Sequence, residues 1–188
     1  MKKIVSAIVL SFSLLLTACT ETPNVNNSFQ SGDGTVTEIK VADRPAAVQW
    51  AGVDSYGEPL SSANLSGVVT VLNFWYASCV SCRLETPDLV DLSKTFANQA
   101  QFVGVNVRDS ADTANAFRKT FNLDYPTLID ANNGSVVLAF TGVVTPSAVP
   151  TTLVIDRQGR VAARVLGVAD KTTLKTLTQT VVNESKPD

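Results

Sequence analysis

The most continuous hydrophobic segment of the chain is Val68–Trp75, where only Thr70 and Asn73 interrupt a run of apolar residues. Such a run is typical of a central strand that is covered on both faces. Four apolar residues then recur at helical spacing: Leu84, Leu89, Leu92 and Phe96. Pro87 lies inside this pattern and should kink the helix. The pattern therefore predicts a buried strand that leads into a helix.

A second strand and helix follow in the same order. Residues 102–107 are mostly apolar and β-branched, which indicates a strand. Residues 110–121 have helical spacing, with Ser110 or Asp109 as the N-cap. The predicted inner face of this helix holds Ala114, Phe117 and Phe121. The order β-α-β-α indicates an α/β fold.

The flanking patterns are shorter. Before the first strand they predict a short strand at 48–50, a turn at 54–58 and a helical turn at 61–65. After the second helix they predict a weak strand at 128–130 and a short helix at 132–140.

The C-terminal part of the chain predicts a hairpin and a closing helix. Thr151–Ile155 and Val161–Leu166 are apolar runs on either side of a turn sequence at 156–160. The last segment, 170–183, carries Leu174, Leu177 and Val181 at helical spacing. Residues 46–188 are therefore predicted to form a single domain, long enough to bury a core without disulfide staples.

The first eighteen residues have the pattern of a secretory signal. Two lysines precede a mostly apolar run at 4–16, which is shorter than the about 20 residues that a membrane span needs. The run ends in Leu16-Thr17-Ala18-Cys19, which resembles the lipobox of bacterial lipoproteins. That resemblance implies a signal peptide at 1–18 and a diacylglycerol-modified Cys19 that anchors the mature chain to a membrane surface. An unlipidated secreted protein and an uncleaved signal anchor are the alternatives.

Residues 19–45 differ from the rest of the chain in composition. They are rich in Thr, Asn, Ser, Gly and Asp and show no apolar period, which predicts a flexible tether between the anchor and the domain. Removal of residues 1–18 takes away two lysines and no acids, so the formal charge changes from −2 to −4. A mildly acidic chain argues against nucleic acid as a partner.

The cysteines divide into one lipid-acceptor candidate and one pair. The pair is Cys79-Val80-Ser81-Cys82, and the chain contains no histidine. The lack of histidine excludes histidine-dependent acid–base dyads, Ser-His triads and His-ligated metals. We therefore predict no metal site and place the chemistry on the cysteine pair.

The position of Cys79 at the start of the predicted helix favours its thiolate. The helix N-terminus carries roughly +0.5 charge and free amide donors, which lower a thiol pKa. A thiol with its pKa near 8.5 is about 3% ionised at pH 7, whereas one lowered to about 7 is half ionised. Cys79 is thus the predicted nucleophile, and Cys82 would resolve the mixed disulfide.

Three other roles compete with redox chemistry for the cysteine pair. A zinc site needs about two further ligands, which only carboxylates could supply here. A haem attachment site needs histidine directly after the second cysteine, where Arg83 stands. A structural staple across so short a ring would contribute only about 2 kcal/mol, against about 3 for a fifteen-residue loop.

The segment Asn73–Pro87 resembles the active-site segment of the thioredoxin-like superfamily. It is closest to the membrane-tethered extracytoplasmic branch associated with cytochrome c maturation. Val149–Asp156 is similar to the segment in which that family keeps a cis-proline. The likeness covers residues 48–183 and implies a thioredoxin-like fold, with a central mixed β-sheet flanked by helices.

The resemblance also implies roles for individual residues. Pro150 is expected to be cis and, with Val149 and Trp75, to bind the substrate, Val149 through its backbone. Glu85 aligns with an acid common in the extracytoplasmic branch and is the candidate for proton handling. The alternative interpretation of Glu85 is a solvated carboxylate on the surface of the helix. No cofactor is expected beyond the redox-active Cys79–Cys82 disulfide.

Three positions depart from the family pattern. Asn73 stands where cytoplasmic thioredoxins carry a buried aspartate, and Ser78 stands where tryptophan is usual. The intervening dipeptide Val80-Ser81 lacks the usual proline. These residues therefore match neither the strongly reducing nor the strongly oxidising relatives.

The expected function is an extracytoplasmic, lipid-anchored reductase of disulfides in exported proteins, apocytochromes included, recharged by a membrane redox partner. The alternatives are a disulfide-forming oxidase or isomerase, a thiol peroxidase, and a non-enzymatic binding lipoprotein such as a copper chaperone. Thiol peroxidases use a differently spaced Pro- and Thr-containing loop, and the related copper proteins use a histidine that this chain lacks.

Overall fold

The computed structural model describes residues 29–30, 35–143 and 148–184. The strands in these residues are β1 (Phe29–Gln30), β2 (Val36–Glu38), β3 (Ala51–Val53), β4 (Pro59–Ser61), β5 (Val69–Trp75), β6 (Ala100–Asn106), β7 (Thr127–Ile129), β8 (Thr151–Ile155) and β9 (Val161–Leu166). The α-helices are α1 (Val80–Thr95), α2 (Ala111–Phe121), α3 (Ser135–Ala139) and α4 (Lys171–Asn183). Short 3₁₀ turns occur at Val41–Asp43 and Ser62–Leu65.

Seven of the described strands form one mixed sheet in the order β1-β2-β9-β8-β5-β6-β7. Strand β5 runs parallel to β6 and antiparallel to β8, and all seven of its residues are buried. This confirms the prediction of a central strand covered on both faces. Because β5 and β6 are parallel, their carboxyl ends meet at the same edge of the sheet. The cysteine pair follows β5 at this edge.

Each face of the sheet carries its own hydrophobic core, since successive side chains of a strand point to opposite faces. Helices α1, α2 and α4 cover one face, with Leu89, Phe117 and Leu174 in its core. On the other face Trp50 and Phe140 lie in the core, and β3 and β4 form a separate two-stranded ribbon. The predicted mixed sheet flanked by helices in one domain is confirmed.

Several element boundaries agree with the sequence pattern. The hairpin strands β8 and β9 have the predicted bounds, and Ser110 rather than Asp109 is the N-cap of α2. Helix α1 begins directly after Cys79 and continues past Pro87 to Thr95. Hydrogen bonds between Asp54, Gly57 and Glu58 close the predicted turn.

Three predictions are wrong. The tether was predicted to extend to residue 45, but β2 pairs with β9 in the main sheet, so the domain includes residues before 46. The short strand predicted at 48–50 is displaced to β3, because Trp50 enters the core and the ribbon with β4 starts after it. Leu84 is 67% exposed and does not contribute to the buried face of α1.

The predicted signal peptide and the predicted lipid acceptor Cys19 lie outside the described residues. In the described part of the chain, no helix has the length and apolar character needed to cross a membrane.

Candidate active site

Cys79 stands at the junction between the central strand and the first helix. Strand β5 ends at Trp75, and Cys79 is the N-cap of α1. Cys79 and Cys82 form a disulfide, with their Cα atoms 5.3 Å apart. Cys79 is 6% exposed and Cys82 1% exposed. Cys79, the residue predicted to be the nucleophile, is therefore the more exposed residue of the pair.

The first turn of α1 provides a hydrogen-bond donor to Cys79. The backbone N–H of Cys82 donates to Cys79 Sγ over 3.1 Å. This N–H is one of the helix-terminal donors that have no carbonyl partner within a helix. Such a donor, together with the positive end of the helix dipole, stabilises a thiolate on Cys79 when the disulfide is reduced.

Asp109 holds the loop between β5 and Cys79. Its Oδ2 accepts hydrogen bonds from the backbone N–H of Ala77 at 2.6 Å and from Asn106 Nδ2 at 2.8 Å. Asn106 Oδ1 in turn accepts from the N–H of Asp109 at 2.7 Å. The sequence indicated Asp109 only as a possible helix cap. The signal that could have revealed its role is its position just after β6, whose end lies beside the end of β5.

Pro150 has the peptide-bond conformation that the resemblance implies. The Val149–Pro150 peptide bond is cis. Val149 is half-buried and packs against the core cluster that contains Cys79 and Cys82. The carbonyl of Pro150 accepts a hydrogen bond from the N–H of Gly167 at 2.8 Å. The predicted role of Val149 and Pro150 in substrate binding stays a prediction.

Trp75 is enclosed by the protein. It is 2% exposed, and its ring lies 4.3 Å from that of Phe117, centroid to centroid. A Cβ at Gly104 would lie 2.8 Å from Trp75 Nε1, so glycine is needed at that position of β6. With this burial, Trp75 would influence substrate binding through packing rather than through an exposed ring.

Glu85 is buried beneath the helix and not solvated on its surface. It is 1% exposed, so the surface-carboxylate alternative is wrong. Its Oε1 accepts from Asn73 Nδ2 at 2.8 Å, and its Oε2 accepts from the N–H of Ala169 at 2.8 Å. Burial raises the pKa of Glu85 to about 7, while the two hydrogen bonds act in the opposite direction. A carboxyl with a pKa near 7 can both take up and release a proton at neutral pH.

The sequence did not indicate the contacts that hold Glu85. Asn73 was identified only as a departure from a family pattern, and Thr152 was not singled out. Asn73 Nδ2 also donates to Thr152 Oγ1 at 3.0 Å, and the two residues are cross-strand partners in β5 and β8. The signal that could have revealed this is the pairing of the two strands, which requires the sheet topology.

The family model described as AhpC/TSA matches residues 42–164, more than half of the chain. The thiol:disulfide interchange protein HelX of Rhodobacter capsulatus is 33% identical over 110 residues, which are 58% of this chain and 58% of HelX. The thiol-disulfide oxidoreductase ResA of Bacillus subtilis is 28% identical over 155 residues, or 82% of this chain and 81% of ResA. The chain thus covers less than two thirds of HelX but most of ResA.

A solved structure has the same fold. The secreted thiol-disulfide isomerase of Corynebacterium glutamicum superimposes with a TM-score of 0.75 and is 30% identical. The superposition covers 83% of this chain and 97% of that protein. The thioredoxin-like fold expected from the sequence is confirmed.

Proposed function

This chain belongs to the AhpC/TSA family, and we propose that it is a thiol-disulfide oxidoreductase that reduces disulfides of exported proteins. The observation that carries the proposal is the Cys79–Cys82 disulfide at the N-terminus of α1, with the Cys82 N–H directed at Cys79 Sγ. The names of HelX and ResA support the same chemistry.

The reaction begins with the reduced pair. The Cys79 thiolate attacks one sulfur of the substrate disulfide, whose S–S bond breaks, and the other substrate sulfur leaves as a thiolate. The Cys82 thiolate then attacks Cys79 Sγ, which forms the Cys79–Cys82 disulfide and releases the second substrate thiolate. The substrate disulfide gains two electrons from the protein dithiol, and its two thiolates take up protons from solvent. A membrane protein with its own dithiol returns the two electrons.

Glu85 is the proton acceptor in the second step. Cys82 and Glu85 are three residues apart on α1 and both are buried, so they lie on the same face of the helix, with Cβ atoms about 5–6 Å apart. The Glu85 carboxylate takes the proton of the Cys82 thiol, which creates the thiolate that attacks Cys79. The pKa of about 7 suits this exchange near neutral pH.

The site of action is the outer side of a bacterial membrane. A diacylglycerol on Cys19 would hold the mature chain at the membrane surface, and the segment before β2 would let the domain reach its substrates. The description of the Corynebacterium glutamicum protein as secreted supports an extracytoplasmic location. Globomycin treatment of cells should block processing and leave the longer precursor if Cys19 is the lipid acceptor.

The test of the function is the reduction potential of the cysteine pair. The chain without residues 1–19 keeps all described elements and can be titrated against dithiothreitol or glutathione, with thiol alkylation as the readout. A potential below about −220 mV supports the reductase, because electrons would then pass to typical labile disulfides. Failure of the pair to exchange would leave a structural staple and contradict the proposal.

Trapping of the intermediate assigns the nucleophile. Cys82→Ser should accumulate a mixed disulfide with a substrate protein, because Cys79 can attack but nothing resolves the product. Cys79→Ser should form none. Equal trapping by both variants would contradict the assignment. Peroxide consumption, measured in the same samples, serves as the control for a thiol peroxidase.

A disulfide-forming oxidase or isomerase is the second candidate. The name of the Corynebacterium glutamicum isomerase favours it. The same titration distinguishes the two, since a potential above about −150 mV would make the chain a disulfide donor.

A further inference from the structure

We propose that Asn73 is a positioning residue that controls the protonation of Glu85, and through it the proton loss of Cys82. The inference rests on the proposed function, because it concerns the second step of that reaction. The side-chain amide of Asn73 donates to Glu85 and Thr152 and to neither sulfur. It acts only through the Glu85 carboxylate.

The side-chain amide of Asn73 is fixed by its two donor bonds. One hydrogen of Nδ2 goes to Glu85 Oε1 at 2.8 Å and the other to Thr152 Oγ1 at 3.0 Å. Asn73 is 4% exposed and Thr152 is fully buried. Since both hydrogens are used, the amide presents a donor, and not its carbonyl oxygen, to Glu85. A donor stabilises the ionised carboxylate.

No cation compensates the charge of Glu85 among the described residues. The hydrogen bonds that favour its ionised form come from Asn73 and the Ala169 N–H. Tyr125 is a titratable group on which the Glu85 charge acts. Burial and that charge raise the pKa of Tyr125, so its hydroxyl stays neutral. Asp124 and Arg118 act on Tyr125 rather than on Glu85. Burial thus raises the pKa of Glu85, and the hydrogen bonds that lower it come from neutral donors.

The bonds of Glu85 also connect three elements around the site. Asn73 lies on β5, Glu85 on α1, and Ala169 in the segment between β9 and α4. Two residues before Ala169, the N–H of Gly167 donates to the Pro150 carbonyl. Asn73 thus holds Glu85 at the point where helix, central strand and cis-proline segment meet.

Loss of the Asn73 donor should raise the Glu85 pKa. In Asn73→Ala, only the Ala169 N–H remains to stabilise the carboxylate, and we expect an upward shift of about one pKa unit. With a midpoint near 8 in place of 7, the ionised fraction at pH 7 falls about fivefold. The rate of the resolving step at pH 7 should fall by the same factor and recover at higher pH.

The experiment uses the oxidised chain without residues 1–19 for the ¹³C titration of the Glu85 carboxyl. The pH profile of mixed-disulfide resolution by Cys82 is measured in parallel. Asn73→Asp is the second variant, because it preserves the shape of the side chain in case alanine prevents folding. Two carboxyls would then share the buried site, and the Glu85 midpoint should rise further than in the alanine variant.

Asn106→Ala is the matched control. Asn106 is also a fully buried asparagine near the site, at the end of the neighbouring strand β6, but it bonds Asp109 and not Glu85. Its removal should lower stability without moving the Glu85 midpoint. In a Glu85→Gln background, Asn73→Ala should leave the pH profile unchanged, because the group through which Asn73 acts is absent.

An unchanged Glu85 midpoint in Asn73→Ala and Asn73→Asp would overturn the proposal and leave Asn73 a structural residue. An equal shift in Asn106→Ala would do the same, since it would mean that any local disturbance moves Glu85. If the wild-type pair does not exchange with any disulfide, the proposed function fails instead. The carboxyl titration still decides the part played by Asn73 in that case.

Discussion

The two ends of the central strand each hold a buried carboxylate, and the two carboxylates have different partners. Glu85, near the carboxyl end of β5, is 1% exposed and bonds only neutral donors. Asp156, near the amino end, is 2% exposed and bonds the guanidinium groups of Arg44 and Arg160 at 2.9 and 2.8 Å. The two carboxylates are thus almost equally buried. Among the described residues, Asp156 has two cationic partners and Glu85 has none.

The different partners of Asp156 and Glu85 explain why the two carboxylates have different roles. Arg44 also pairs with Glu184 after α4 and donates to the Ile39 carbonyl, so Asp156 lies in a network that fixes both flanks of the domain to the β8–β9 turn. Glu85 has no such counter-charge, and burial raises its pKa to about 7. A buried carboxylate with neutral donors can change its protonation state, whereas one between two guanidinium groups serves to hold segments together.

The largest effect is expected at the charged end. Asp156→Asn removes the charge shared by two buried or half-buried guanidinium groups, of which Arg44 keeps only Glu184 as a carboxylate partner. The free energy of unfolding should fall by about 4 kcal/mol. Urea unfolding at pH 7 measures it. The exchange rate of the molecules that remain folded should not change, because Asp156 is remote from the cysteines. A loss below about 1 kcal/mol would mean that the network contributes little.

Glu85 should make the stability of the chain depend on pH. Its pKa is raised from 4.5 to about 7 in the folded chain, so the folded state holds a proton that the unfolded state releases. The stabilising contribution is complete below pH 4.5 and is lost as pH rises through 7, a decrease of about 3 kcal/mol. Urea unfolding of the oxidised chain between pH 4 and 8 measures this slope.

Glu85→Gln should remove that part of the pH dependence, because no proton is then exchanged at the site. Glu58→Gln, which replaces an exposed glutamate, is the control and should keep the slope. A variant with glutamine at 85 and an undiminished slope would show that another group binds the proton.

Asp109 is a third carboxylate, less buried than Glu85 and Asp156. It bonds neutral donors, as Glu85 does, but it is only half-buried. Asp109→Ala removes the acceptor of the Ala77 N–H and of Asn106, and we expect a loss of about 2 kcal/mol in unfolding free energy. Disulfide exchange should slow as well, because the loop before Cys79 is no longer held. Asp112→Ala, an exposed neighbour in the first turn of α2, should change neither quantity.

The smallest change in the free energy of unfolding is expected for a solvent-exposed ion pair. Lys171 bonds Asp91 at 2.5 Å, but both side chains are largely exposed, at 44% and 60%. Solvent screens such pairs, so Asp91→Asn should leave urea unfolding indistinguishable from that of the wild type. A loss comparable to that of Asp156→Asn would contradict the view that burial and partners together decide the contribution of a carboxylate.

The sequence determined the elements whose patterns are local. The run before Cys79 is apolar over almost every residue, which requires burial on both faces, and it became β5. The turn residues at 156–160 define the hairpin of β8 and β9 to the residue. The cysteine spacing and its place at a helix start were also visible without coordinates, because helix termini and redox pairs have local signatures.

The tertiary structure decided the properties that depend on distant segments. Strand β2 has no apolar period, and only its pairing with β9 places it in the sheet. Glu85 looks like any carboxylate on a helix. It is buried, and it accepts hydrogen bonds from Ala169 in the segment before α4 and from Asn73, twelve residues earlier in sequence. Hydrogen bonds and burial of this kind depend on register and packing, which the order of residues along one element does not specify.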